Sequence, residues 1–293
     1  MSVTTTDDTT LTMTSGISLR ALLVRFRGHI ALTMQLVLAE SIINVLLPLF
    51  IGFAINGLLE DSTTGLLHLG ALGVLALIIG SIRRLYDTRA YAGIYTKIST
   101  EMVQREQEKD KPVSTIAARA TLLTEFVEFL ENSMPMIVTN IIGVVGILVI
   151  VLSLNTEVFL ASLALLGLIV LIYVFTGRFN FRLNKGYNDE LENQVKVLTN
   201  HDIRLIGNHF NLLMRWNIRL SDLETFNYAI FWFGIIGLLV FSPIAVIESG
   251  VEDFGTIFST LTYVFQYIDN LILLPLFIQQ IIRLQEISSR LRE

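Results

Sequence analysis

Cysteine is missing altogether from the 293 residues, which excludes disulfides, thiol chemistry and any Cys-based metal site. Charge is also scarce: Asp, Glu, Lys and Arg make up 16% of the chain, against roughly 25% in a soluble domain. No G-x-x-x-x-G-K-[ST] loop occurs anywhere, so nothing cradles nucleotide phosphates in the P-loop manner, and neither enzymatic activity nor a bound cofactor is expected of this chain. The first fifteen residues, MSVTTTDDTTLTMTS, have neither a basic start nor an apolar stretch. They do not read as a cleaved signal and are expected to form a disordered tail. Among the 19 glycines there is no Gly-xxx-Gly pair, so the simplest helix-dimer motif is absent.

Apolar surface is what the chain has in excess, at 53% hydrophobic residues. It is concentrated in runs such as 135–154 and 157–177, each long enough to cross the roughly 30 Å hydrocarbon core as a helix. Spans are expected at about 30–59, 65–88, 134–154, 157–177, 227–247 and 254–279. The fold class is therefore all-α and polytopic, with a six-helix domain over 29–293 preceded by a short amphipathic elbow at 16–28. Connections near Asp61–Thr64, Asn155–Thr156 and Ser249–Asp253 are very short, whereas 89–133 and 178–226 are long and polar. All 21 Lys and Arg lie in the long loops, at their borders or in the two tails, and the short turns carry none. That asymmetry orients both termini and both long loops to the cytosol, and a bacterial plasma (inner) membrane is the expected location. The net charge of −5 carries no message about nucleic acid, and none is expected as a partner. Run 157–177 holds no Arg, which excludes a voltage-sensing fourth span.

The long loops carry helical patterns of their own. Ile116, Ala120, Leu123, Val127, Leu130 and Met134 recur at alternating steps of four and three, with Glu125, Glu128 and Glu131 off the stripe. The second loop repeats the pattern with Leu191, Val195 and Leu198, then Ile206, Phe210 and Leu213, broken near Asn200–Asp202 and Gly207. Helices two to five are expected to run beyond the membrane as two cytosolic hairpins. Amphipathic helices lying on the membrane surface are the alternative.

Several polar residues interrupt the spans, and a charge there normally faces a cavity or a partner. By residue count along the spans, Glu40, with Asn44 one turn on, and Gln266, Asp269 and Asn270 are expected near mid-membrane, where no Lys or Arg stands in sequence. One reading has them line a cavity for a cationic or amphipathic substrate, or for protons. The other has them satisfied by helix–helix hydrogen bonds. Arg83, Arg84 and Asp87 mark the inner end of span two. Arg83 and Asp87, four apart, are expected to form an ion pair, and Arg84 and Arg89 to reach lipid phosphates; an anionic gate is the competing reading. His201 and His209 match no zinc spacing, so no metal site is expected.

The elbow ISLRALLVRF (17–26), LPLFIGFAINGLL in span one, TIAARATLLTEFVEFLENSM before span three and RLQEISSRL (283–291) together resemble the transmembrane domains of ABC exporters. RRLYDTRAY (83–91) and RWNIRLSDLE (215–224) are similar to the stand-alone six-transmembrane-domain branch, which lacks a nucleotide-binding domain. The resemblance implies a homodimer forming one substrate pathway, a separate ATPase subunit through which alone ATP would act, and membrane lipids as surroundings. It also implies docking of the ATPase at the loop tips. The first tip, REQEKDKP (105–112), is wholly polar and reads as a solvated turn, whereas the second offers Ile203, Leu205 and Ile206. An ATP-independent carrier, channel or scaffold of the same fold is the alternative function.

Overall fold

A computed structural model describes residues 19–199 and 202–292. The tail at 1–15, the start of the elbow, Asn200 and His201 lie outside the described residues. All regular structure among the described residues is helical. In chain order it comprises α1 (Leu19–Arg25), α2 (Arg27–Leu59), α3 (Thr64–Glu108), α4 (Val113–Glu128), a π-helical turn (Phe129–Ser133), α5 (Met134–Leu154), α6 (Thr156–Glu192), α7 (Gln194–Thr199), α8 (Ile203–Glu248) and α9 (Phe254–Arg292). Six helical stretches are long and apolar enough to cross a membrane, so the chain is an all-α integral membrane protein. Helix α5 coincides with the expected span 134–154, while α3, α6 and α8 continue far past theirs without a break. That continuity favours hairpins projecting beyond the membrane over helices folded down onto its surface.

The ends of these helices follow from local chemistry. After α2 the amide of Ser62 donates to the carbonyl of Gly57 at 2.7 Å and that of Asp61 to Leu58 at 3.3 Å, with Asp61 left-handed at φ 58°. After α3 the same pair of bonds runs from Lys111 to Glu106 and from Asp110 to Gln107, with Asp110 at φ 51°. Both are Schellman closures with Asp in the place glycine usually takes, a side chain that tolerates the left-handed region better than most. Gly250 fills the equivalent place after α8 at φ 75°. Starts are capped by Asn155, whose side chain accepts from the Val158 amide at 2.9 Å, and by Asp202, which accepts from the Arg204 amide at 2.8 Å. The π-helical turn ends two residues before Pro135, which has no N–H to donate to residue 131 and crowds that carbonyl. The backbone widens instead, and Met134 donates to Phe129 five residues back.

The chain divides into two compact units, Met1–Gly146 with Ile272–Glu293, and Ile147–Leu271. In the first, α2 and α3 pack as an antiparallel pair in tight backbone contact at Gly65. A Cβ there would stand 2.5 Å from the Phe53 carbonyl oxygen and 2.7 Å from the Ala54 Cα, so only glycine fits. Farther along, Tyr91, Ile94, Ile98 and Met102 of α3 meet Ile116, Leu123, Phe126 and Val127 of α4 in one apolar cluster. Leu22 and Phe26 close it from the elbow, and Ile287 closes it from α9. Every member of the first predicted stripe belongs to this cluster, including the partly buried Ala120 and Met134. The tip differs from expectation. Glu106 is only 3% exposed and accepts from Arg119 Nη1 at 2.8 Å, so 105–112 is not a wholly solvated turn.

In the second unit α6 and α8 are neighbours. Val158, Ser162, Leu165, Ile169 and Ile172 of α6 are buried at steps of four and three, as are Ile235, Leu238, Ser242 and Ala245 of α8. Tyr267 of α9 is fully buried and donates to the Ser162 carbonyl at 2.8 Å, while Asn155 donates to the Ala245 carbonyl at 3.4 Å. These hydrogen bonds join helices where hydrophobic driving force is weak, because lipid tails are as apolar as the side chains. Beyond the span the second predicted stripe fails. Leu213 is buried, but Val195 is 76% exposed, and Leu191, Leu198 and Phe210 are exposed as well. The contacts that hold α6 to α8 there are others: Leu183 is buried, and Trp216 lies on Gly186, where a Cβ would come within 2.9 Å of its ring. Gly207 does not break the pattern, since α8 runs through it.

Candidate functional site

A polar network joins α2 to α3. Arg83 Nε lies 3.0 Å from Glu40 Oε2 and 3.9 Å from Asp87 Oδ2, and Thr33 Oγ1 donates to Asp87 Oδ1 at 2.7 Å. The expected Arg83–Asp87 pair is thus present in loose form, and the closer partner of Arg83 is Glu40. Gly80, one turn before Arg83, leaves room for the Glu40 carboxylate, whose Oε1 would be 3.4 Å from a Cβ there. One expectation for Glu40 changes: a cation, Arg83, stands beside it. At about 1.5 Å per residue Glu40 is about 30 Å along α2 from the turn at Glu60.

Around this network sit the groups of one helix border. Arg84 is exposed, Arg89 donates to the Leu85 carbonyl at 2.8 Å, and the His29 ring stacks on Tyr86 with centroids 6.5 Å apart. On the elbow, Arg25 forms a two-pronged pair with Glu101 at 2.6 and 2.7 Å. The guanidinium beside it, through the hydrogen bonds first, holds the Glu101 carboxyl below the usual range even though both groups are largely solvated.

The remaining candidates separate into exposed and half-buried positions. Asn44 of α2 and Asp269 of α9 are exposed, and Gln266 and Asn270 are half-buried. Asp269 lies about 22 Å along α9 from its start at Phe254. At the second tip Ile203 is 84% exposed and Leu205 is 48% exposed, with Ile206 half-buried. His209 is buried and pairs through Nδ1 with Glu190 Oε1 at 2.5 Å, a role the sequence did not suggest.

Thr33 and Gly80 carry no mark in the sequence, whereas the Glu40–Arg83 pairing does. In an antiparallel hairpin, residues equally far from the turn face each other, and Glu40 stands 21 positions before Asp61 while Arg83 stands 22 after it. At the first tip, Val113 immediately follows the polar stretch and is 81% exposed.

Residues 19–253 match the family model described as ABC transporter transmembrane region. No curated protein matches the chain.

Proposed function

Because the chain belongs to the family of ABC transporter transmembrane regions and is a membrane component of that kind of transporter, we propose that two copies form one twelve-helix substrate pathway driven by a separately encoded ATPase. The observation that carries this reading is the second extension, where Ile203 and Leu205 project into solvent at a capped helix start. Large apolar side chains held on a well-formed helix beyond the membrane suit a protein partner. ATP would act only through that partner. Cations confined to the extension side and the tails favour cytosolic termini, and a bacterial inner membrane is the location we assign.

Within the pathway we assign Asp269 and Asn44, which a single chain leaves exposed, with Gln266 and Asn270 beside Asp269. Glu40 enters the pathway only with Arg83 attached, so its carboxylate is a paired one. Arg84 and Arg89 are assigned to lipid phosphates. The test is affinity purification from native membranes in mild detergent, followed by mass measurement and an ATPase assay. A dimer with a stoichiometric ATPase is expected, and Ile203→Ser with Leu205→Ser should release the ATPase while leaving the dimer. Absence of any ATPase and of ATP hydrolysis would overturn this reading in favour of an ATP-independent carrier, channel or scaffold. The second reading draws on one specific observation: the first tip presents Val113 as its one large exposed apolar residue over 105–113.

A further inference from the structure

In the first unit a cavity of about 150 Å³ opens between α4, the π-helical turn and α9. Its walls carry two carboxylates, Glu125 and Glu128, which stand three residues apart on one side of α4. Across from them is Arg283 of α9, 3.4 Å from Glu125. The π-helical turn supplies Asn132 and Ser133, and Ser133 Oγ donates to Gln280 Oε1 at 3.3 Å. Beneath these, the buried Phe129 and Ile287 give an apolar floor.

Charge and depth together identify the chemistry. Among the described residues of the lining, two carboxylates face one guanidinium, which leaves one negative charge for a cation. The Arg283 side chain is 59% exposed and keeps N–H donors beyond its contact with Glu125 among the described residues. The cavity therefore offers an acceptor for N–H groups beside a donor for an anion. Its height is fixed by the helices that form it. Ser133 directly precedes the expected span 134–154, and Gln280 directly follows the expected span 254–279. With the expected span limits, both helices leave the hydrocarbon layer at this level, where lipid headgroups lie. A volume of about 150 Å³ holds a few small polar atoms, the room of about five waters.

We propose that this cavity binds an ammonium group carried beside a phosphate, the chemistry of a phosphoethanolamine headgroup, with the ammonium on Glu128 and Glu125 and the phosphate on Arg283. A choline headgroup has the same net charge but no N–H to donate, so it is disfavoured. The site does not depend on whether an ATPase partner exists.

The test is native mass spectrometry of the full-length protein in mild detergent. The probes are short-chain phosphatidylethanolamine, phosphatidylcholine with the same chains, and soluble O-phosphoethanolamine. Wild type is expected to hold the ethanolamine lipid about tenfold more tightly than the choline lipid, the weight of one charge-assisted hydrogen bond. Glu128→Gln and Arg283→Gln should each remove that preference, and Glu252→Gln in a short turn should keep it. Equal retention of the two lipids by wild type would overturn the proposal, as would an unchanged preference in both cavity variants. The wild-type comparison decides alone where a variant fails to fold. Displacement of the lipid by equimolar O-phosphoethanolamine assigns the site to a soluble zwitterion; displacement only by acylated competitors assigns it to the bilayer, and either result upholds the headgroup chemistry.

Discussion

The two extensions beyond the membrane begin from the same sequence pattern and end in opposite states. In the first, the apolar stripe of α4 is sealed by α3, by Leu22 and Phe26 of the elbow and by Ile287 of α9. In the second, Val195, Leu198 and Phe210 of the corresponding stripe stay in solvent, and α6 holds α8 through Trp216 on Gly186, the His209–Glu190 pair and Leu213. An apolar stripe thus states that a helix needs a partner and leaves open where the partner comes from. The first extension finds its partners within the chain, including two segments far away in sequence. The second keeps its stripe for something else.

Breaking the first extension should cost most. Phe126 is 1% exposed in a water-surrounded hairpin, where apolar burial has its full weight, and Phe126→Ala should destabilise the protein by about 3–5 kcal/mol in denaturant unfolding followed by tryptophan fluorescence. Next comes the tip. Arg119→Met leaves the Glu106 carboxylate buried without its cation, and a loss of about 3 kcal/mol is expected in the same assay, with Glu106→Gln on that background recovering part of it.

The elbow contact is weaker because both partners are largely solvated. Arg25→Gln should cost at most about 1 kcal/mol, less in high salt. Since Glu101 is held below its ordinary value, the contribution is complete above about pH 4.3, the free carboxyl value, and is lost as pH falls through the lower folded value. A pH series of melting temperatures for wild type and Arg25→Gln should therefore converge only in acid. The smallest effect is predicted for the second extension: Val195→Ser should move the stability of the purified chain by no more than about 0.5 kcal/mol. A larger loss would mean that this stripe is covered within the chain, and the contrast between the extensions would fail.

Most of the fold was legible because membrane spans announce themselves by length and apolarity, and α5 matches its expected limits at both ends. The first stripe was legible too, since a 3.5-residue period persists through Leu130 despite the π-helical turn. The candidate site was less so. Arg83 and Asp87 share a helix face and could be paired by spacing alone, but Glu40 and Thr33 reach them from another helix. Their meeting depends on the register that the Asp61 turn and the Gly65 contact impose. Burial of Glu106 was hidden for a similar reason: a run of polar residues gives no sign that one of them points back toward an arginine 13 positions later.

Gly65 also sets the mechanics of α3. Glu108, at the far end of the same unbroken helix, lies about 65 Å from it at 1.5 Å per residue. With its backbone pressed against Phe53 and Ala54 at one end, α3 is a long arm on a short fulcrum. A tilt of about 5° at the short-turn end carries the tip through about 6 Å, roughly one helical turn. Movements too small to open the membrane helices are therefore large where the extension ends.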